Sequence, residues 1–396
     1  MNRKETVLKT VIALLSLLIV AGIVFLISRT LSTNDVEEEE QERQREQVVE
    51  DPVDTPPSLP IFYNDVFELP VIGAAGYTSI EEDLYGAPDP TSEILAVLLP
   101  GTPFEIRAEY EDWWMIRTEN EEGWIRHQAA FINMPDIVPS IVYNHANSYS
   151  SLFMSSYTEI PNVTGESISH MIDFNDRLNR EEFIFPILYS TARKLFQAQQ
   201  LAMLNGETLV LYESFRSQEN SVLVRESLVK LIEENDEIEE GVTEAPWSIG
   251  WFIHSGISNH NRGAAVDISL AQVNEVSERV VGDYLFMEVT DYAEYEMHTP
   301  MHELSVDSAI FEEPISSLDR DGWRELDIHP NASEHAVRLQ EYMVGGGFTP
   351  LASEWWHFND LDILEMLGPD ASTGDFDISR TINSQPEWQD VQENID

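Results

Sequence analysis

Two stretches of this 396-residue chain place ionisable groups where apolar ones belong. The first runs Ser258-Asn259-His260-Asn261-Arg262-Gly263-Ala264-Ala265-Val266-Asp267, and the second Glu354-Trp355-Trp356-His357-Phe358. Residues 264–269 and 354–358 read as strands. A carboxylate between Val266 and Ile268, or an imidazole between Trp356 and Phe358, is costly to bury unless it is paired or ligated. His260 lies in a glycine-flanked loop that enters the first strand. Two imidazoles and one carboxylate make a three-ligand set suited to Zn2+, with a fourth position left for water. The chain has no cysteine, so any metal must use His, Asp or Glu, and disulfides and thiolate nucleophiles are excluded. Taken singly, each residue has a plainer reading: a buried His as a satisfied core group, a buried Asp as a turn or cap acceptor. Glu354 lies three residues before His357, and odd separations on a strand point to opposite faces. A bend or bulge is therefore needed if both address one ion. If they converge, Glu354 is the natural general base.

Composition narrows the partners. Acidic residues number 72 and basic ones 22, a formal charge of −50. This excludes a protein that grips nucleic acid through a broad basic face, or one that docks on anionic lipid through a polybasic patch. Hydrophobic residues make up 42%, enough for a packed core. The acidity has two readings, adaptation to salt or high pH and an ordinary acidic secreted protein.

The organisation along the chain follows from hydropathy and turn signals. Residues 1–30 read as an N-terminal transmembrane anchor, because 11–27 is almost wholly apolar and Arg3, Lys4 and Lys9 precede it. A cleaved signal peptide is the competing reading. Residues 31–65 are an acidic, proline-rich linker that acts as a stalk. Residues 66–136 carry short strands broken by turns, the pattern of a small barrel. Residues 140–370 form one larger domain, with helices expected at 186–204 and 218–234, a strand at 209–215, and a capping-box-like Asn331-Ala-Ser-Glu334 opening a further helix. Residues 235–255 and 271–330 read as acidic loops around the site. The polar, acidic tail from 371 to 396 is expected to be loosely ordered.

Two resemblances follow from these residues. Gly101, Trp113-Trp114 and Glu122-Gly123-Trp124-Ile125 resemble the bacterial SH3-like domain often attached to cell-wall enzymes, which implies wall or peptide binding. The tryptophans read equally as core. The order Ser-x-His-x-x-Gly-x-Ala-x-Asp, then Glu-Trp-Trp-His-Phe, resembles the zinc D-alanyl-D-alanine dipeptidase and carboxypeptidase family. Tyr212-Glu213-Ser214-Phe215-Arg216-Ser217, Met297-His298-Thr299-Pro300-Met301 and Gly347-Phe348 are similar to further segments of that family. The resemblance implies an α+β fold, a small antiparallel sheet with helices around a zinc site. It implies His260, Asp267 and His357 as Zn2+ ligands, Glu354 as base and Arg216 as the group facing the developing oxyanion. Ser258 and His302 are then candidate substrate contacts. His302 stands where the dipeptidase branch has an Asp that holds the substrate's free amine, a departure that bears on strict dipeptide specificity.

The expected function is zinc-dependent hydrolysis of D-Ala-D-Ala bonds in peptidoglycan stem peptides, outside the membrane, by a single-pass protein. The alternatives are another zinc peptidoglycan endopeptidase and a non-catalytic wall-binding protein. A lost ligand or base would mark the last, and all four residues stand.

Overall fold

The computed structural model describes residues 67–169 and 171–386. The expected anchor, the linker, His170 and residues 387–396 lie outside the described residues. Among the described residues no helix is long and apolar enough to cross a membrane. The architecture is mixed α+β, with two sheets that are antiparallel apart from one strand pair.

The first sheet is built from β1 (Ala75–Tyr77), β2 (Glu82–Tyr85), β3 (Ile94–Leu98), β4 (Pro103–Tyr110), β5 (Trp113–Arg117), β6 (Glu122–Arg126) and β7 (Phe131–Asn133). Alternation drives it: Trp114 and Ile116 face inward while Arg117 faces water. Trp113 and Trp114 are both buried, so they are core rather than a binding surface.

Beyond this sheet come β8 (Val142–Tyr143) and two small ribbons, β9 (Met154–Ser155) with β10 (Thr158–Glu159) and β11 (Ile172–Asn175) with β12 (Arg180–Phe183). β13 (Pro186–Leu188) follows and returns to the first sheet, whose order is β13-β7-β1-β4-β5-β6-β2-β3. The helix expected from 186 therefore starts at Tyr189 and runs to Met203. Pairing of Ile187 with Ile132 at the edge of β7 buries all three β13 residues, and tertiary pairing overrides the helical pattern there.

The second sheet holds β14 (Glu207–Glu213), β15 (Ala265–Val281), β16 (Tyr284–Glu294), β17 (Thr349–Leu351) and β18 (Glu354–Asn359). Its order is β17-β18-β15-β14-β8, with β16 paired to the far part of β15. Only β8 and β14 run parallel. Most of the acidic stretch from 271 to 294 is thus a long hairpin, not a loop, because β-branched Val273, Val276 and Val289 recur among the acids and pack together. Residues 235–255 likewise contain the helices Asp236–Thr243 and Ile249–Phe252. The helix Gln218–Glu234 lies where expected, with Ser217 capping the Asn220 amide. In the helix Glu334–Gly345 the cap is Ser333, whose hydroxyl accepts from Ala336 N at 3.1 Å, two residues later than the box at Asn331 implies.

The tail differs from expectation over 371–386. Ile378 is buried, and Phe376 stacks on Phe215 at 5.0 Å. Asn383 Nδ2 donates to Asp136 Oδ2 at 3.1 Å and Asn175 Oδ1 at 2.8 Å, and the buried Arg177 guanidinium donates to the Ser384 carbonyl at 3.3 Å. Buried polar groups that need partners hold this segment down. Gly101, at φ +79°, has Asp377 O 2.9 Å from where a Cβ would stand. One apolar cluster joins Leu84, Phe104 and Trp114 of the first sheet to Leu195 and Phe196 of the following helix and to Val266, Trp356 and Phe358 of the second.

Candidate metal centre and active site

Sheet register sets the site. β14 and β18 flank β15, and Glu213, Asp267 and His357 are direct partners in one row across the three strands. Cross-strand partners share a face, so these side chains meet. The β17–β18 ladder shifts register beside Glu354. With that irregularity Glu354 Oε2 comes within 3.8 Å of His357 Nδ1, the convergence that a regular strand would forbid.

His260 arrives from the loop ahead of β15. Gly263, at φ +68°, closes that turn through a bond from its amide to the His260 carbonyl at 3.0 Å. A Cβ on Gly263 would sit 2.3 Å from Phe131 Cε1, so the turn requires glycine. His260 Nε2 then lies 3.2 Å from Asp267 Oδ1 and 3.1 Å from His357 Nδ1, and His357 Nδ1 lies 3.0 Å from Asp267 Oδ1.

The outer nitrogens settle the tautomers. His260 Nδ1 faces the Ser214 carbonyl at 2.7 Å, and His357 Nε2 faces Asn359 Oδ1 at 3.0 Å. Asn359 Oδ1 also accepts from Asn259 Nδ2 at 2.8 Å, which fixes its amide orientation. Each outer nitrogen therefore carries a proton, which it donates to that oxygen. His260 Nε2, His357 Nδ1 and Asp267 Oδ1 thus converge within 3.2 Å of one another. Such a trio could hold a cation, and the donor set fits Zn2+.

Burial would raise the Asp267 pKa, but the His260 charge and hydrogen bonds from His260, His302 and His357 hold it well below the usual range. Burial works against the charged form of His357, yet Asp267 and Glu354 raise its pKa. Glu354 is pushed up to about 8, chiefly by burial, with His357 opposing and Asp267 adding.

The trio opens on a cleft of about 350 Å³ walled by Phe153, Trp251, Phe252, Leu318 and Trp356. Arg216 lines it, sits 3.2 Å from Glu213 Oε2, and lies over the Phe153 ring at 5.2 Å. Its Nε has no hydrogen-bond partner among the described residues. Ser258 is at the cleft, but its hydroxyl and amide are engaged with Asn261 Oδ1 at 3.0 and 2.7 Å, a local turn lock. His302 is not in the cleft. It is fully buried behind Asp267, with Nε2 2.9 Å from Oδ2, so it cannot touch a substrate as the resemblance implies. His254 lines the rim, exposed.

Glu213, Asp267 and His302 form a second cluster, in which Arg216 pairs with Glu213 at 3.2 Å and His302 Nε2 lies 2.9 Å from Asp267 Oδ2. Phe153, Asn147 and Asn359 escape sequence reading. Asn359 alone had a signal, since it lies two residues after His357 on the same face of the strand.

Residues 81–129 match the family described as the bacterial SH3 domain. That match lies within the first sheet and ends well before the first site residue. No curated protein matches the chain.

Proposed function

We propose that the chain is a zinc-dependent D,D-peptidase that removes the terminal D-alanine of peptidoglycan stem peptides outside the membrane. The observation that carries this reading is the trio of converging ligand atoms with Glu354 3.8 Å away and Arg216 in the same cleft. His260, Asp267 and His357 would hold the ion. Bound there, Zn2+ supplies the acidity that makes water a nucleophile near neutral pH and polarises the scissile carbonyl. Glu354, 3.8 Å from His357 Nδ1, takes the proton of the attacking water and hands it to the leaving amine. The Arg216 guanidinium, which lines the cleft, would stabilise the negative charge that develops on the carbonyl oxygen. The aromatic walls exclude water and accept the alanine methyl groups.

Carboxypeptidase action is favoured over dipeptidase action. Among the described residues, Asp267 and Glu354 are the only carboxylates lining the cleft, and both have roles, so no other described carboxylate is left to hold a dipeptide's free amine. Arg216 and Arg262 offer two guanidinium groups for a free carboxylate. The apolar run near the amino terminus would anchor the chain, and the SH3 domain would bind the wall.

The test is zinc content and D-alanine release from a D-Ala-D-Ala-terminated muropeptide, for wild type and Glu354→Gln. The variant should keep zinc and lose hydrolysis by 100-fold or more (about two to four decades is usual for a proton-transfer group). Equal activity removes Glu354 from the mechanism. Cleavage of cross-bridges without release of terminal D-alanine would make the protein an endopeptidase.

A further inference from the structure

His302 is fully buried, has a left-handed backbone at φ +62°, and touches no cleft surface. For a residue with a branched ring such a conformation persists only where its surroundings over-determine it. They do so on both sides: Met154 N donates to the His302 carbonyl at 3.1 Å, and Leu304 N returns to the Met154 carbonyl at 2.8 Å. The ring stacks on Phe153 at 4.2 Å with 7° between planes, and meets the Trp356 ring edge-on at 5.8 Å.

A short chain of hydrogen bonds decides where its proton lies. Leu152 N donates to Asn147 Oδ1 at 3.0 Å, which turns the amide nitrogen of Asn147 toward His302. Asn147 Nδ2 is 3.0 Å from His302 Nδ1, so Nδ1 accepts. The ring proton is then on Nε2, 2.9 Å from Asp267 Oδ2. The opposite oxygen, Oδ1, is the one that faces His260 and His357.

We propose that His302 is a positioning residue: its Nε2–H occupies Asp267 Oδ2, so that Oδ1 alone is offered to the ion between His260 and His357. This rests on the metal-site reading above. It assigns the imidazole a role behind the ligand rather than at the substrate. It also gives Asp267 Oδ2, the oxygen nearest His302 in the neighbouring cluster of Glu213, Asp267 and His302, a proton donor in place of an ion.

The experiment compares wild type, His302→Phe and His302→Gln as full chains. His302→Phe retains a ring against Phe153 and Trp356 without the donor, and His302→Gln offers an amide N–H₂. Zinc affinity is measured by competition with a chromophoric chelator, and coordination by the visible spectrum of the cobalt-loaded protein. His302→Phe should bind zinc about 10- to 100-fold more weakly, the usual effect of losing an outer hydrogen bond to a ligand, with altered cobalt bands. His302→Gln should recover most of the affinity. Wild-type affinity and spectrum in His302→Phe overturn the proposal. So do two zinc ions per chain with one lost in that variant, which would make His302 a ligand. A metal-independent arm uses imidazole ¹⁵N shifts: His302 should show the Nε2–H form, and an Nδ1–H form overturns the proposal. If wild type binds no zinc, the hydrolase reading fails by itself while the ¹⁵N result still decides the His302–Asp267 bond. The same arm, with His302→Gln, decides it should His302→Phe not fold.

Discussion

Gly263→Ala tests how the loop that carries His260 is built. The substitution meets two separate penalties. At φ +68° an L-residue costs about 1–2 kcal/mol relative to a right-handed conformation. The new methyl would also stand 2.3 Å from Phe131 Cε1 and 2.8 Å from Cζ. Phe131 is fully buried and packs against Phe215 at 5.4 Å and Phe376 at 6.2 Å, so the ring has little room to swing. Forced overpacking of this kind costs about 1–3 kcal/mol. Alanine stiffens the unfolded chain and returns about 0.4–1 kcal/mol. The net is a loss of about 1–4 kcal/mol in unfolding free energy, read by denaturant titration at unchanged m. Because Gly263 N closes the turn on the His260 carbonyl, zinc affinity should fall as well. The two penalties separate in a Phe131→Leu background, where the clash is relieved and only the backbone part, about 1 kcal/mol, remains. A single variant that costs under about 0.5 kcal/mol, or costs that add without coupling in the double variant, would refute the steric account.

Glu68 gives a pH test. Burial pushes its pKa from 4.5 to about 7, against the opposing bonds from the Ser140 hydroxyl and amide. The folded state holds the proton more tightly, so this group's contribution is full below pH 4.5 and declines as pH rises to about 7, by about 3 kcal/mol in all. Glu68→Gln should therefore gain stability over wild type progressively from pH 5 to pH 8 in thermal or urea unfolding; a pH-independent difference would sink the assignment. Asn383→Ala strips two donors from the buried Asp136 and Asn175 oxygens and should cost about 1–3 kcal/mol. It should also open the segment after 371 to limited proteolysis, and an unchanged digestion pattern would show that the tail's docking does not depend on Asn383.

The parts of the site that could be read from sequence were those where burial and polarity conflict. Asp267 between Val266 and Ile268, and His357 between Trp356 and Phe358, are unfavourable without partners, and the structure brings them together as cross-strand neighbours. Glu354 needed an irregular ladder to join them, and the register shift beside it supplies that. Phe153 and Asn147 could not be read, because they come from a segment with no periodic pattern and act through tertiary contact. The same limit hid β13: residues 186–188 look helical in isolation, and only the free edge of β7 makes them a strand. The 271–294 hairpin was masked by its acids, which sit on exposed strand faces where charge is cheap.

The loop that carries His260 rests on the first sheet, not only on its own strands. Phe131 belongs to β7, and its ring fills the space that a side chain at position 263 would take. Leu188 of β13 pairs with Phe131, and its amide donates to the Gly263 carbonyl at 3.0 Å. Phe215, one residue before Arg216, packs on the same Phe131 ring and donates its amide to the Pro186 carbonyl at 3.2 Å. His260 and Arg216, one a candidate ligand and the other a cleft cation, are therefore both placed by contacts with the sheet that carries the SH3 match. Rigid support within a fraction of an ångström is what a three-ligand site needs. The first sheet thus has, through β7 and β13, a structural duty toward the candidate active site.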